Sequence, residues 1–566
     1  MAKEKTSPKY IFVVGGVISG VGKGVTASSI AKILKDRGHT VTSIKIDPYV
    51  NVDAGTMNPT EHGEVFVLDD GYETDQDMGN YERFLDTTLP SDNYMTTGRV
   101  YQSVIEKERS MYYKGGCVQV VPHVPLEVVS RIKYAQEKAQ AEVVVIEIGG
   151  TIGEYENILF LEAARMMKIE TPKDVMCVVV SYLPVPSAVG EMKTKPTQHA
   201  VRTLQSSGLW PDMIIARSNT LLDAKRKEKL AYFCSVKESH IISAPDVQSI
   251  YEVPINFERE HVGDMVCEIL SLKMKPTSPL VKKGEISKNS WNTFVKRAHT
   301  VKNEVKIAIV GKYFDTGDFV LGDAYLSVIE AIKHASYAHN KKPVITWVNS
   351  GDFEVSKTNT QKDVLKNLKA LDGYDGVLVP GGFGKRGIQG KIEAIKYVRE
   401  NKIPYLGICY GMQLAVIEFA QHVCGISGAT SKELDETAKH QVITIMESQK
   451  ELLEGQKYGG SMRLGAYTAN LQKGSIVADL YGALTVSERH RHRYEVNTAY
   501  VDQIQKSGLQ FSGTSPNGQL MEFIELPKKV HPFFVGTQAH PEFKSHPQNP
   551  HPLFFGFIEA SIKRKK

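Results

Sequence analysis

Short runs of β-branched and aliphatic residues recur through the first 270 positions. Between them, apolar residues return every three or four positions. The runs predict strands at Tyr10–Val14, Val41–Ile46, Val143–Ile148, Val175–Ser181, Met213–Ala216 and Ile241–Ser243. The helical period predicts helices at Ala27–Lys35, Leu126–Glu137 and Leu159–Met167. Alternation of this kind builds a mainly parallel sheet with helices on both faces. Residues 273–303 break the pattern. They contain Lys-Pro-Thr-Ser-Pro and few large apolar side chains, and read as an interdomain linker with one short helix around Trp291–Ala298. Alternation resumes at Val305–Gly311 and continues through Val344–Val348, Gly376–Val379 and Tyr405–Ile408. The end of the chain is richer in strands: Val442–Met446, Leu484–Val486, Leu520–Leu526 and Phe533–Thr537. The expected organisation is therefore two α/β domains, 1–272 and 304–566, without internal repeats. The polar stretch Ser427–Lys439 reads as a surface loop or lid.

Bulk properties narrow the field only a little. A chain of 566 residues suggests two to four domains. Its net charge, 69 − 64 = +5, is too small to argue for a nucleic-acid or membrane surface. The six cysteines (117, 177, 234, 267, 409 and 424) are scattered and form no CxxC pair, so neither a disulfide framework nor a zinc site is indicated. The apolar run Ile11–Val14 stops at Gly15-Gly16, too short for the core of a signal peptide, and no stretch approaches a membrane span. A soluble, cytoplasmic protein is expected, in a compartment that keeps a thiol reduced.

One thiol has a special context. In Gly407-Ile408-Cys409-Tyr410-Gly411 a cysteine stands between two glycines, after an apolar run and before a helical pattern. This is the cysteine form of a nucleophile elbow, a strand-to-helix turn that lifts the side chain clear of the sheet at a helix N-terminus, where thiolate is favoured. Near the C-terminus, His540 and Glu542 in Ala539-His540-Pro541-Glu542-Phe543 supply a base and the carboxylate to orient it. A lone cysteine is usually a small buried hydrophobe and a lone histidine a surface residue; the combination favours covalent catalysis. The elbow with a distant His-Pro-Glu resembles the class I glutamine amidotransferase domain. Pro380-Gly381-Gly382-Phe383-Gly384 fits the same pattern, as a glycine loop whose N–H groups serve an oxyanion. The resemblance implies glutamine hydrolysis through a thioester, with ammonia passed to a partner domain.

The first domain offers a phosphate site. Gly15-Gly16-Val17-Ile18-Ser19-Gly20-Val21-Gly22-Lys23-Gly24 follows the first strand and opens a helix, so successive N–H groups, the helix dipole and Lys23 would cradle phosphates. The leading glycine is one residue early, and Gly24 replaces the hydroxyl residue that usually holds magnesium. Magnesium must then find carboxylates elsewhere. Glu147, closing the apolar strand 143–148, is one candidate; the acidic cluster 73–77 holds another, and charge alone does not separate Asp75 from Asp77.

Further segments match one family in order along nearly the whole chain: Lys45–Asp53, Asn58–Phe66, Gly71–Gly79, Tyr81–Phe84, Glu147–Gly153, Lys193–His199 and Glu488–Asn497. The sequence resembles the CTP synthases. The resemblance implies ATP-dependent amination of UTP to CTP through a 4-phosphorylated UTP, with magnesium, ammonia from glutamine, and activation by GTP. It implies that Gly20, Val21, Gly22, Lys23, Gly24 and Val25 hold ATP, that Asp77 and Glu147 hold magnesium, and that Asp77 also touches ATP. Lys45 would stand beside the reacting phosphate. Ser19, Lys193, Thr194, Lys195, Pro196, Thr197, Gln198 and Lys229 would bind UTP or CTP. Glu154, Tyr155 and Glu156 would select the pyrimidine, with Glu154 standing where some members carry Asp. Gly382, Tyr410, Gly411, Met412, Gln413, Glu433 and Arg493 would hold glutamine, with Tyr410 where leucine is common. The same resemblance implies a homotetramer, small-molecule partners only, and a GTP role for the Gly459–Gly465 loop. An Arg-His run such as 489–493 otherwise reads as a solvated strand face, or as a phosphate or nucleic-acid patch.

Other readings are a cobyrinate-type amide synthase, a partition-type P-loop ATPase switch and a non-catalytic glutamine sensor. Lys193–His199 argues against the first, the absence of an early P-loop lysine against the second, and the retained Cys409, His540 and Glu542 against the third.

Overall fold

Each of the six predicted strands of the first half is present, and with a seventh that was not predicted, Tyr94–Thr96, they form one parallel sheet. Its order is Tyr94–Thr96, Val41–Asp47, Val143–Ile148, Lys9–Gly16, Val175–Tyr182, Met213–Ser218, Ile241–Pro245. Lys9–Gly16 and Val143–Ile148 are buried along their whole length, as continuous apolar runs require when helices cover both faces. The computed structural model describes residues 7–188, 190–273, 290–311, 322–357, 359–382, 384–385, 387–446 and 462–564. Phe383, most of the predicted linker and residues 459–461 lie outside the described residues.

The chain divides into two compact units. One comprises the residues up to Ala54 and Asp77–Val295, the other Gly55–Gln76 and Lys296 onward. The short helix of the linker is Trp291–Thr300. Trp291 belongs to the first unit, where it packs on Phe84 and Tyr251 and donates Nε1–H to the Tyr251 carbonyl at 2.9 Å. Also in this unit, Arg37 at the end of the helix Lys23–Asp36 forks onto Glu258 at 3.1 and 2.9 Å. Both groups are buried, so the two-point geometry offsets the desolvation of each charge.

The second unit has a nine-stranded sheet. Five strands are parallel, in the order Lys342–Asn349, Glu304–Gly311, Gly376–Val379, Tyr405–Ile408 and Phe534–Thr537. Four antiparallel strands extend it: Met521–Glu525, Gln510–Thr514, Arg463–Leu471 and Thr485–His492. The last of these runs well beyond the predicted Leu484–Val486, and neither Arg463–Leu471 nor Gln510–Thr514 was predicted.

Segment 55–76 departs from the expected domain 1–272, since it belongs with the second unit. It has only a one-turn helix, Pro59–His62, the two-residue strands Phe66–Val67 and Glu73–Thr74, and too little apolar periodicity to declare a partner. Charge decides its place. Arg489 pairs with Asp69, the Arg491 Nε–H donates to Glu73 at 2.8 Å, and Glu64 accepts from the Ser327 backbone N–H at 3.1 Å. The segment thereby covers the edge strand Thr485–His492, which would otherwise be free to pair with another chain. Gly465 permits this approach: its φ is +94°, and a Cβ there would lie 2.6 Å from the Gly71 nitrogen.

Candidate active sites

In the second unit the elbow forms where the parallel strand Tyr405–Ile408 meets the helix Tyr410–His422. Cys409 has φ +49° and ψ −100°, a strained conformation of the kind stored at functional sites. Both flanking glycines are forced by space. A Cβ on Gly411 would lie 2.2 Å from the Val379 carbonyl oxygen, and one on Gly407 2.7 Å from the Tyr405 hydroxyl. Gly411 and Met412 therefore form the floor of the turn, Met412 being buried beneath Gly536.

Cys409, His540 and Glu542 line one cavity of about 190 Å³. Gly382, Tyr410, Gln413, Glu433 and Arg493 line the same cavity, so the expected glutamine residues converge on the thiol, apart from the two in the floor. Asn58 and Glu64 of segment 55–76 also reach it. Glu542 accepts from His540 Nδ1–H at 2.7 Å, while Nε2 is buried without a hydrogen-bond partner among the described residues. Gly381 lets the imidazole lie flat, since a Cβ there would stand 2.7 Å from His540 Cε1.

Burial works against the charged imidazole. The Glu542 carboxylate and the Cys409 sulfur outweigh it and push the His540 pKa up to about 10. His540 is thus protonated at neutral pH and loses its proton as pH rises through that value. Replacing Glu542 with Gln removes the strongest raising influence. Glutamine hydrolysis should fall about 100-fold, with the alkaline limb of its kcat/KM profile moving toward the ordinary histidine range near 6.5. A wild-type alkaline limb in that variant would show that Glu542 does not hold the proton.

One neighbour of the thiol was not singled out in the sequence. Gln538 is buried and its Nε2–H points at Cys409 Sγ at 3.6 Å, while its carbonyl accepts from Gln413 at 3.3 Å. Only its place two residues before His540 could have signalled it. The Arg-His run is not a solvated face. Arg489, His490 and His492 are buried, with the two arginines 489 and 491 on segment 55–76 and the histidines 2.9 Å apart. Arg463, which opens the strand Arg463–Leu471, lies between two buried carboxylates, Glu495 at 3.2 Å and Glu522 at 2.7 Å.

In the first unit the phosphate loop joins the strand Lys9–Gly16 to the helix Lys23–Asp36. Gly20 and Gly22 take φ of +67° and +94°, and no side chain caps the helix. Its first N–H groups, including those of Gly24 and Val25, are therefore available to an anion. Lys23 lies over Gly15, where a Cβ would stand 2.8 Å from its chain, and donates to the Gly150 carbonyl at 2.8 Å. The early glycine has a separate cause: a Cβ on Gly16 would come within 2.7 Å of Ala200, on the helix Lys195–Ser206.

The absent hydroxyl at position 24 also has a cause. A Cβ on Gly24 would lie 2.2 Å from Asp77 Oδ1, so the Asp77 carboxylate fills the place a serine would take. Lys45 ties Asp77 to Glu147, donating to Glu147 at 2.9 Å and to Asp77 as well. Burial and the charge of Asp77 push the Glu147 pKa up. Burial also opposes the Asp77 carboxylate, but Lys45 and Lys23 hold its pKa below the ordinary range. A cation already bridges these carboxylates, and two carboxylates beside a phosphate loop are a donor set that suits magnesium.

Two clefts flank the loop. One, about 230 Å³, is lined by Gly22, Val25, Arg217, Asp246, Val247 and Phe257. Asp246 and Val247, which follow the last strand, carry no periodic signal. The other is open and is lined by Ser19 and Glu154 with Val17, Gly153 and Thr203. Glu154 accepts from the Thr151 N–H at 2.8 Å; Tyr155 and Glu156 are exposed. Lys193, Arg226 and Lys229 gather around Glu191, whose pKa they lower, chiefly through the Lys193 hydrogen bond. Thr194, Thr197 and Gln198 are buried: Ser181 donates to Thr197 at 2.8 Å and Gln198 to Thr194 at 3.1 Å. They fix the start of the helix at Lys195-Pro196, whereas Lys193 and Lys229 present their charges outward.

Comparison with known proteins agrees with this division of chemistry. Residues 9–272 match the family model for the CTP synthase N-terminus, and 320–560 match that for class I glutamine amidotransferases. The CTP synthase of Methanococcus maripaludis is 49% identical over 98% of this chain and 100% of its own length. That of Thermobifida fusca is 48% identical over 98% of this chain and 97% of its own. The solved glutaminase domain of a Trypanosoma brucei CTPS with bound acivicin is 40% identical. It covers 46% of this chain and 95% of that chain, at a TM-score of 0.41. With both halves matched and nearly half of all positions identical along its length, the chain belongs to the CTP synthase family.

Proposed function

We propose that the chain aminates UTP to CTP with ATP, using ammonia released from glutamine at Cys409. The observation that carries this reading is the phosphate loop with a cleft on each side, one enclosed and one open, which suits two nucleotides meeting at Lys23. The enclosed cleft, apolar with Asp246 and Arg217 at its edge, suits the purine of ATP. The open one, with Ser19 and Glu154, suits UTP.

In the second unit the Cys409 thiolate attacks the amide carbon of glutamine, and the backbone N–H groups of Tyr410 and Gly382 receive the oxyanion. The His540 imidazolium gives its proton to the departing ammonia. Acylation removes the sulfur's charge and with it part of the influence that raised the His540 pKa. The neutral imidazole then takes a proton from water, which cleaves the thioester and frees glutamate. Glu433 and Arg493 hold the amino and carboxylate ends of glutamine.

In the first unit UTP O4 attacks the γ-phosphorus and ADP leaves. Neutral ammonia adds at C4, and inorganic phosphate departs. A carbonyl oxygen is a poor leaving group, and phosphorylation turns it into a good one. Lys23, the helix start and Lys45 hold the transferred phosphoryl group and its charge. Asp77 and Glu147 would hold magnesium, which supplies charge neutralisation to the phosphates. Lys193, Lys195 and Lys229 are available for the UTP triphosphate, with Glu191 giving way.

Activation by GTP rests on the family resemblance. Assembly as a homotetramer rests on it too, and on the exposed aromatics Tyr112, Tyr155 and Tyr232 of the first unit. A cytoplasmic setting is supported by six cysteines that are all unpaired, including the reactive one. Among the described residues no helix is long and apolar enough to cross a membrane. The test is the absorbance change from UTP to CTP. Product should require ATP, form with either glutamine or ammonium, and rise with GTP only when glutamine is the donor. CTP formation without ATP would overturn the reading.

A further inference from the structure

Tyr410 follows the nucleophile, and its side chain is buried although its backbone N–H is the group the reaction uses. The phenol donates to the Gly384 carbonyl at 3.1 Å. The N–H of the same Gly384 donates to Glu433 at 2.8 Å. Gly384 has φ +82°, so this peptide is held in a conformation that most residues avoid, with a partner on each side. At the other end of the loop, Gly381 lies against the His540 ring. Gly382, between these anchors, lines the cavity with Cys409. The ring itself is fixed: the buried Lys391 ammonium stands 5.5 Å from its centroid.

We infer that the Tyr410 hydroxyl is a positioning group for glutamine hydrolysis: by holding Gly384 it sets both the glycine loop over the thiol and the Glu433 carboxylate. The inference rests on the glutaminase reading of this cavity. A donor displaced by a fraction of an ångström from a developing oxyanion loses much of its effect on kcat. Substrate binding, which has Arg493 and Gln413 as well, depends on it less.

The test is Tyr410→Phe, which keeps the ring and the backbone N–H and removes only the hydroxyl. Three rates are compared with wild type: glutamine-dependent CTP formation, ammonium-dependent CTP formation, and alkylation of Cys409 by iodoacetamide, which needs no oxyanion donor. The expected result is a fall of about tenfold in kcat for glutamine, with KM rising less than about threefold and the other two rates retained. A wild-type kcat for glutamine in Tyr410→Phe overturns the inference. So does a parallel fall in all three rates, because the hydroxyl would then support the fold and not the loop. Tyr410→Leu, which also removes the ring, should lower kcat for glutamine at least as much; a smaller loss than in Tyr410→Phe overturns the inference as well. A wild-type chain that uses ammonium but not glutamine would instead refute the underlying glutaminase reading.

Discussion

Replacing Cys409 with alanine is expected to abolish glutamine-dependent CTP formation while ammonium salts still support it. The reasoning is chemical first. Neither His540 nor Gln538 can attack an amide carbon in place of the sulfur, so the covalent route closes. Loss of a nucleophile that acts as one unit with its base costs on the order of 10⁶ in kcat. The fold should survive. Cys409 is buried, an alanine fills most of its space, and the strained backbone is held by the N–H of Cys409 on the Thr537 carbonyl at 2.6 Å. Lys23, Lys45, Asp77 and Glu147 all belong to the first unit, and among the described residues those that line the cavity around the thiol all belong to the second. Ammonium should therefore restore CTP at the wild-type ammonium rate, measured by the absorbance change. If it does not, the two units do not divide the chemistry as proposed.

The covalent half of this arrangement was readable in the sequence because its requirements are local. Glycines at 407 and 411 are imposed by contacts with Tyr405 and Val379, so the motif records a geometry that no other residue tolerates. The parallel strands were equally plain, since burial on both faces leaves unbroken aliphatic runs such as Val143–Ile146. What stayed hidden depends on partners distant in the chain. Segment 55–76 is placed by Asp69 and Glu73 meeting Arg489 and Arg491, more than 400 residues away, and neither half carries a periodic signal. The strand Arg463–Leu471 begins with an arginine that is buried only because Glu495 and Glu522 receive it. Charged residues read as surface until their partners are known. Gly24 is the instructive case. As sequence it is a defect in a phosphate loop; as structure it is the space that Asp77 occupies.

That exchange of a hydroxyl for a carboxylate bears on Lys23. Its ammonium stands with Lys45 over Asp77 and Glu147, and burial lowers its pKa while Glu147 raises it. In this cluster Lys23 and Lys45 face three carboxylates, Asp77, Glu147 and the buried Asp47, which lies 3.6 Å from the Lys45 ammonium; truncating Lys23 leaves all three to Lys45 alone. Lys23→Ala is therefore expected to remove phosphate binding directly, and also to weaken the charge balance that keeps Asp77 ionised. CTP formation should fall by about 10³ or more, the scale of losing a preorganised charge at a transferring group. The fall should be equal with glutamine and with ammonium, because both donors deliver nitrogen to the same phosphorylated ring. Glutamine hydrolysis measured alone should persist. Lys23→Arg should not rescue synthesis. The stem runs in the slot left by Gly15, where even one added carbon meets the side chain at 2.8 Å, and a planar guanidinium needs more width than an ammonium. Unequal losses with the two nitrogen donors would mean that the loop acts on ammonia delivery and not on the phosphoryl step, and an active Lys23→Arg would mean that the slot does not discriminate.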